Sequence, residues 1–161
     1  MKIILRDVTA EDRDFLRQVY ATTRADELAM VPWSPEQKEA FVDFQFNAQD
    51  VFYRERFPGA QFSVITEDGN PVGRIYILRD PDEIRMLDIT VLPEHRGKGI
   101  GTFLTRELMA EGERDGKSVQ IYVESFNRSR TLFERLGFVP VREEGVNLLF
   151  EWTSSGNSPV D

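Results

Sequence analysis

Apolar and polar positions alternate over Lys2–Val8, with Ile3 and Leu5 on one side against Ile4 and Arg6, which predicts a short strand. Thr9-Ala-Glu-Asp12 reads as a capping box, and Phe15, Leu16, Val19 and Tyr20 follow it at helical spacing. Ser34-Pro35-Glu36-Gln37 is a second helix start, with serine at the N-cap, proline at the first helical position and glutamine at the third. Behind it Phe41, Phe44, Ala48, Val51 and Phe52 form one apolar stripe, and the helix should end near Phe57-Pro58-Gly59. The period then changes. Gln61–Thr66 and Pro71–Leu78 read as strands joined by the turn Glu67-Asp68-Gly69-Asn70, and Ile84–Leu92 is a third strand closed by Pro93. Ile100–Arg114 is helical and stops at Asp115-Gly116. Ser118–Val123 is a strand, Asn127–Leu136 a short helix with Gly137 after it, and Phe138–Trp152 a hairpin turning at Glu144-Gly145. The order β-α-α-β-β-β-α-β-α-β-β predicts a mixed sheet with helices on its faces rather than a simple βα alternation. A single domain over 1–152 fits, followed by a polar tail, Thr153–Asp161, with nothing to bury and therefore expected to be disordered.

Composition narrows the chemistry. Of 161 residues none is cysteine, which removes disulfides, thiolate-ligated metals and a thiolate nucleophile. The single histidine, His95, leaves no two-histidine metal site, and no metal is expected. The first 30 residues hold charges throughout and no apolar run, so neither a signal peptide nor a membrane span is expected and the cytoplasm is the default location. The net charge of −8 argues against a nucleic-acid partner. Residues 96–142 nevertheless carry nine bases against six acids, so an acidic chain bears one locally basic segment, suited to a small anionic ligand.

That segment opens with the chain's most informative stretch, Leu87-Asp-Ile-Thr-Val-Leu-Pro-Glu-His-Arg-Gly-Lys-Gly-Ile-Gly101. A strand ends at a proline, three glycines follow at alternate positions, and a helix opens out of them. Glycines let backbone N–H groups turn toward a ligand, and the helix N-terminus adds partial positive charge, so the loop is a cradle for a pyrophosphate, with Arg96 and Lys98 beside it. A tight strand-to-helix turn alone would explain fewer glycines. A dinucleotide fingerprint needs G-x-G-x-x-G and this loop is one residue short, although Glu124 stands about where the ribose-binding acid would. The corresponding NAD-dependent oxidoreductase is the remote alternative. A Walker loop fails for want of Gly-Lys-Ser/Thr.

At Val91-x-Pro93, at Arg96-Gly-Lys-Gly-Ile-Gly-Thr102 and at Asn127 through Leu136-Gly137-Phe138, the chain resembles the GNAT superfamily of acyl-CoA-dependent N-acyltransferases. The likeness spans residues 3–152 in element order and is sharp over 87–102 and 127–138. It implies an α+β fold, a mixed, mainly antiparallel sheet with helices on both faces. It also implies acetyl transfer from acetyl-CoA to an amine of a small molecule or peptide, by direct attack in a ternary complex. A homodimer is one assembly open to it. By the resemblance, Arg96, Gly97, Lys98, Gly99, Ile100, Gly101 and Thr102 hold the pyrophosphate of coenzyme A. The Val91 backbone N–H meets the thioester carbonyl, Ile89 and Thr90 flank the pantetheine arm, and Asn127 touches the pantetheine or adenosine part. Phe133 occupies the coenzyme-side position where many relatives carry a tyrosine that protonates the departing thiolate.

Phenylalanine cannot donate a proton. Tyr122 and Tyr76, on neighbouring strands, are substitute donors. Asp88, expected in a central strand covered on both faces, is the candidate base, with Glu83 at the outer end of the same strand and His95 at the loop tip as lesser choices. If no donor replaces the tyrosine, the protein could instead be an acetyl-CoA-binding sensor or assembly module. The family builds its acceptor pocket from the first two helices and the closing hairpin, here Ala25–Phe57 with Trp33 and several phenylalanines. Those aromatics are expected to serve mainly as core along an amphipathic helix.

Overall fold

The computed structural model describes residues 1–125, 127 and 129–154. Its strands are β1 (Ile3–Asp7), β2 (Gln61–Glu67), β3 (Asn70–Arg79), β4 (Glu83–Val91), β5 (Ser118–Glu124), β6 (Val139–Glu144) and β7 (Asn147–Trp152). Its helices are α1 (Arg13–Ala29), α2 (Pro35–Arg56), α3 (Ile100–Asp115) and α4 (Ser129–Arg135), with single 3-10 turns at Ala10–Asp12 and Pro93–His95. The order along the chain is the one read from periodicity. The strands form one mostly antiparallel sheet in the order β1-β2-β3-β4-β5-β7-β6. β1 pairs antiparallel with β2, β5 and β6 both pair antiparallel with β7, and β4 pairs in parallel with β5 over Glu83–Met86 and Ser118–Ile121. Of the predicted tail, residues 155–161 lie outside the described residues, as do Phe126 and Arg128.

By density of contacts the chain gathers into two units: Met1–Tyr76 with Ile89–Lys98, and Ile77–Asp88 with the chain from Gly99 on. In the first, β2 and β3 meet at a two-residue turn whose Asp68 and Gly69 both have positive φ (50° and 87°), the conformation that matches strand twist. Serine and glutamine cap α2 reciprocally: Gln37 N donates to Ser34 Oγ at 3.1 Å and Ser34 N to Gln37 Oε1 at 2.8 Å. Leu16 and Tyr20 of α1 pack with Val42 and Phe46 of α2, and Arg17 joins the same two helices through Glu39 and Asp43.

The face of α2 that does this corrects the expected stripe. Val42 and Phe46 are buried and Gln49 and Tyr53 half-buried, whereas Phe44 is 71% and Phe52 55% exposed, with Ala48 and Val51 also exposed. Apolar side chains lie nearly all round this helix. The 44/48/51/52 row is its solvent side, with Phe41 half-buried against Trp33; α1 covers Val42 and Phe46, while Gln49 accepts from Arg74 and Tyr53 lies edge-on to Tyr76 of β3.

In the second unit Val119, Ile121 and Val123 of β5, Leu148, Leu149 and Phe150 of β7, and Phe133 and Phe138 are all buried. Arg79 holds Glu111 of α3 with two bonds, at 2.6 and 3.0 Å, and this pairing draws the Glu111 carboxyl below its ordinary range. β6, the last strand of the sheet, is exposed along its whole length. Pro140, a register shift between Pro140 and Arg142, and the charges of Arg142–Glu144 guard it against further pairing.

Candidate functional site

The strand end and the loop after it are shaped by short-range bonds. Leu92 N donates to Val72 O at 2.8 Å, which stitches the end of β4 to β3. There Gly73 comes so close that a Cβ on it would stand 2.2 Å from the Thr90 carbonyl oxygen and 3.0 Å from Val91 Cα. A side chain would not fit. The chain then makes its 3-10 turn over Pro93–His95, with His95 N on Leu92 O (2.9 Å) and Arg96 N on Pro93 O (3.2 Å).

Gly97 and Gly99 both take left-handed conformations, φ +80° and +86°, and α3 begins at Ile100. A Cβ built on either glycine would meet nothing within 4 Å. The two residues therefore border open space immediately before a helix N-terminus, where backbone donors have no intrahelical partner. A group rich in oxygen anions fits such a loop. The Ile100 side chain is buried, a Cβ on Gly101 would stand 3.6 Å from Leu132 Cδ2, and Thr102 is half-buried. Those three residues fix the helix start by packing.

The two flanking cations are less free than their sequence positions suggest. Arg96 Nε donates to the Val91 carbonyl at 3.0 Å, so its guanidinium pins the strand end. Lys98 Nζ lies 3.1 Å from Glu67 Oε1 of β2 and 3.3 Å from His95 Nδ1. Glu67 is a site residue the sequence did not announce, since 31 positions separate it from Lys98.

The remaining expected residues divide between the units. Ile89, Thr90 and Val91 are half-buried at the end of β4 in the first unit. Tyr76 is buried there in an aromatic group, edge-on to Tyr53 (5.4 Å) and Phe62 (4.9 Å), with the Arg74 guanidinium over its ring at 4.9 Å. In the second unit Asp88 is half-buried, so the full enclosure expected of it is not met, and Glu83 is likewise half-buried. Tyr122 is exposed on β5. Its hydroxyl donates to Glu144 Oε2 (2.9 Å) and accepts from Arg142 Nη2 (2.8 Å), and Arg142 Nε also donates to Glu144 at 2.6 Å. The Tyr122 bond, then Arg142, hold the Glu144 carboxyl below its ordinary range. Asn127 is exposed and spends its Oδ1 accepting from Ser129 N at 2.8 Å, at the start of α4. Phe133 is 1% exposed with its ring against Phe138 (5.5 Å between centroids), a core position. Among the described residues no cluster of histidine and carboxylates could hold a metal ion, and no helix is long and apolar enough to cross a membrane.

Comparison with known proteins agrees with this architecture. Residues 30–153 match the family described as Acetyltransferase (GNAT) domain. A Bacillus subtilis (strain 168) protein that bears the name putative ribosomal protein bS18-alanine N-acetyltransferase is 26% identical over 144 residues, 86% of this chain and 82% of its own. Among solved structures, the PaiA N-acetyltransferase of Thermoplasma acidophilum in complex with coenzyme A superposes with a TM-score of 0.70 at 19% identity, covering 96% of this chain and all of the other. An acetyltransferase from Thermus thermophilus gives 0.69 at 18% identity, over 96% and 98%.

Proposed function

The chain belongs to the GNAT acetyltransferase family, and from that premise we propose that it transfers an acetyl group from acetyl-CoA to an amine of a small molecule or peptide. One observation carries the reading: two left-handed glycines, Gly97 and Gly99, border open space just before the first turn of α3. That is what a diphosphate needs from a main chain. The coenzyme A held by the Thermoplasma relative supports the identity of the donor. The name of the Bacillus relative supports a peptide amine as one acceptor class.

In this reading the amides of Arg96–Thr102 hold the pyrophosphate, with Asn127 on the more distant part of the coenzyme. Ile89 and Thr90 flank the pantetheine arm, and the Val91 N–H stabilises negative charge developing on the thioester oxygen. The amine nitrogen attacks the thioester carbon, the carbon–sulfur bond breaks, and the sulfur leaves as a thiolate. Asp88 takes the proton the amine sheds, and the Tyr122 hydroxyl, which bonds to Arg142 and Glu144, supplies one to sulfur. The uncovered aromatic face of α2, with Trp33 beside it, belongs to the acceptor side.

A second reading rests on Phe133. A buried phenylalanine replaces the family's proton donor, so a protein that binds acetyl-CoA with little turnover is the competing possibility. One experiment separates them. Purified protein is mixed with acetyl-CoA, a panel of amines and peptides, and a thiol reagent. Thiol release that depends on one class of amine supports the transferase. Tight binding in calorimetry with no release across the panel supports the binding module. A protein that binds neither acetyl-CoA nor coenzyme A sinks both.

A further inference from the structure

The coenzyme loop is tied to β2 by three titratable side chains that meet at one point. Glu67, at the end of β2, places Oε1 3.1 Å from Lys98 Nζ and 3.5 Å from His95 Nδ1, and Lys98 Nζ lies 3.3 Å from the same imidazole nitrogen. The Glu67 side chain is only 14% exposed and that of His95 is half-buried, while that of Lys98 is exposed. All three belong to one unit.

The two protonation states of His95 make different contacts in this arrangement. An ammonium has three donors and no lone pair, so Lys98 contacts His95 Nδ1 favourably only when that nitrogen is an acceptor, that is, when the imidazole is neutral. Lys98 is then held from two sides, by a carboxylate and by an imidazole lone pair. Protonation of His95 places an N–H where the lone pair was. It sets two cations 3.3 Å apart and leaves Glu67 Oε1 as the acceptor for the new imidazolium donor. Glu67 then exchanges Lys98 for His95. The other charged groups nearby are committed elsewhere: Arg96 donates to Val91 O, and Asp68 accepts from the Lys2 backbone N–H at 3.0 Å. Glu94 neighbours His95 in the chain.

We propose that Glu67 and His95 are positioning residues for Lys98, a proton-operated latch that keeps its ammonium docked on β2 while the imidazole is neutral and releases it to the coenzyme phosphates when His95 is protonated. This rests on the coenzyme reading of the Gly97–Gly99 loop. Its consequence is that the loop gains one unit of cationic charge toward its ligand on acidification. Coenzyme affinity therefore rises when His95 takes up a proton on acidification, by about threefold, the size expected for freeing one partner of a partly exposed ion pair.

Coenzyme A binding is measured by calorimetry from pH 5.5 to 8 for the wild type, His95→Gln, Glu67→Gln and Lys98→Gln. The coenzyme's own phosphates also titrate near pH 6, so each variant is read as a ratio to wild type at the same pH. His95→Gln should remove the extra affinity gained at low pH. Glu67→Gln should bind tighter than the wild type at pH 8, by up to about threefold, and gain less from acid, and Lys98→Gln should bind more weakly at low pH with no His95-dependent change. Because His95 is the only imidazole, its proton resonances report the latch without any ligand. The pH dependence of those resonances should change in opposite senses in Glu67→Gln and Lys98→Gln. Identical pH curves for wild type and His95→Gln overturn the latch while leaving the coenzyme reading intact, as does a His95 pH response that neither neighbour alters. A wild type that binds no coenzyme at any pH, with the His95 pH response still altered by both neighbours, overturns the coenzyme reading and with it the release step.

Discussion

Gly73→Ala tests whether the end of β4 is held in the shape that coenzyme binding is proposed to need. A methyl group there would lie 2.2 Å from the Thr90 carbonyl oxygen, 3.2 Å from the Thr90 carbonyl carbon and 3.0 Å from Val91 Cα. All three are backbone atoms, so no side chain can rotate away. Ordinary contact needs more than 3 Å, and the strands would have to part by close to 1 Å at the point where Leu92 N bonds to Val72 O at 2.8 Å. Forced overpacking of this kind costs about 1–3 kcal/mol. At about 2 kcal/mol the thermal midpoint falls by roughly 4–8 °C for a chain of this length. Thr90 and Val91 move with the strand, so coenzyme affinity should drop as well, and by more than a destabilised but folded protein would otherwise show. Gly59→Ala is the control, since a Cβ there meets nothing within 4 Å and should change stability by less than about 0.5 kcal/mol. Urea denaturation gives the stability difference and calorimetry the affinity. A Gly73→Ala protein that melts with the wild type and binds coenzyme equally well would refute the argument, because the strand end would then yield without cost.

Three further outcomes are expected. Asp12 is held at about 2, against an ordinary value of 3.8, chiefly by the Arg6 guanidinium bonded to it at 2.8 and 2.9 Å and also by the Thr9 N–H. A depressed carboxylate stabilises the fold above its unfolded pKa, so urea midpoints should fall as pH drops from about 4 to 2. The contribution is ~1–2 kcal/mol after allowing for the 42% exposure of the Arg6 side chain, and Asp12→Asn should flatten that dependence. Gly99→Asp should leave the protein folded, with about 1 kcal/mol lost to the left-handed backbone, yet abolish coenzyme binding in calorimetry by placing a carboxylate in the cradle. Phe133→Ala should cost about 3–4 kcal/mol in urea denaturation, because its ring is buried against Phe138; a smaller loss would show that the ring is not a core member.

The buried face of α2 and much of the loop's electrostatics were not legible in the chain. The predicted apolar stripe of α2 and the row that is actually buried differ by a rotation of about one position, and both carry aromatics. Only the helix packed against it distinguishes them, and α1 selects Val42 and Phe46. Lys98 reads in sequence as a free cation beside a phosphate loop, and its carboxylate partner lies 31 residues earlier. Tyr122 reads as a lone strand tyrosine, and its two partners lie 20 and 22 residues later. Gly73 was legible in principle, because a glycine inside a strand signals close backbone approach.

What the sequence alone determined is local: which residues cap helices, where the period changes from helix to strand, and where a glycine-rich loop gives way to α3. Each depends on hydrogen bonds and steric limits within a few residues, so it is written into neighbouring positions. The tertiary structure decided which elements lie side by side. It inserted β7 between β5 and β6, set β4 parallel to β5, turned one face of α2 inward and brought Glu67 to Lys98. Those choices come from burying surface between segments far apart in the chain, and no short window of sequence contains both partners.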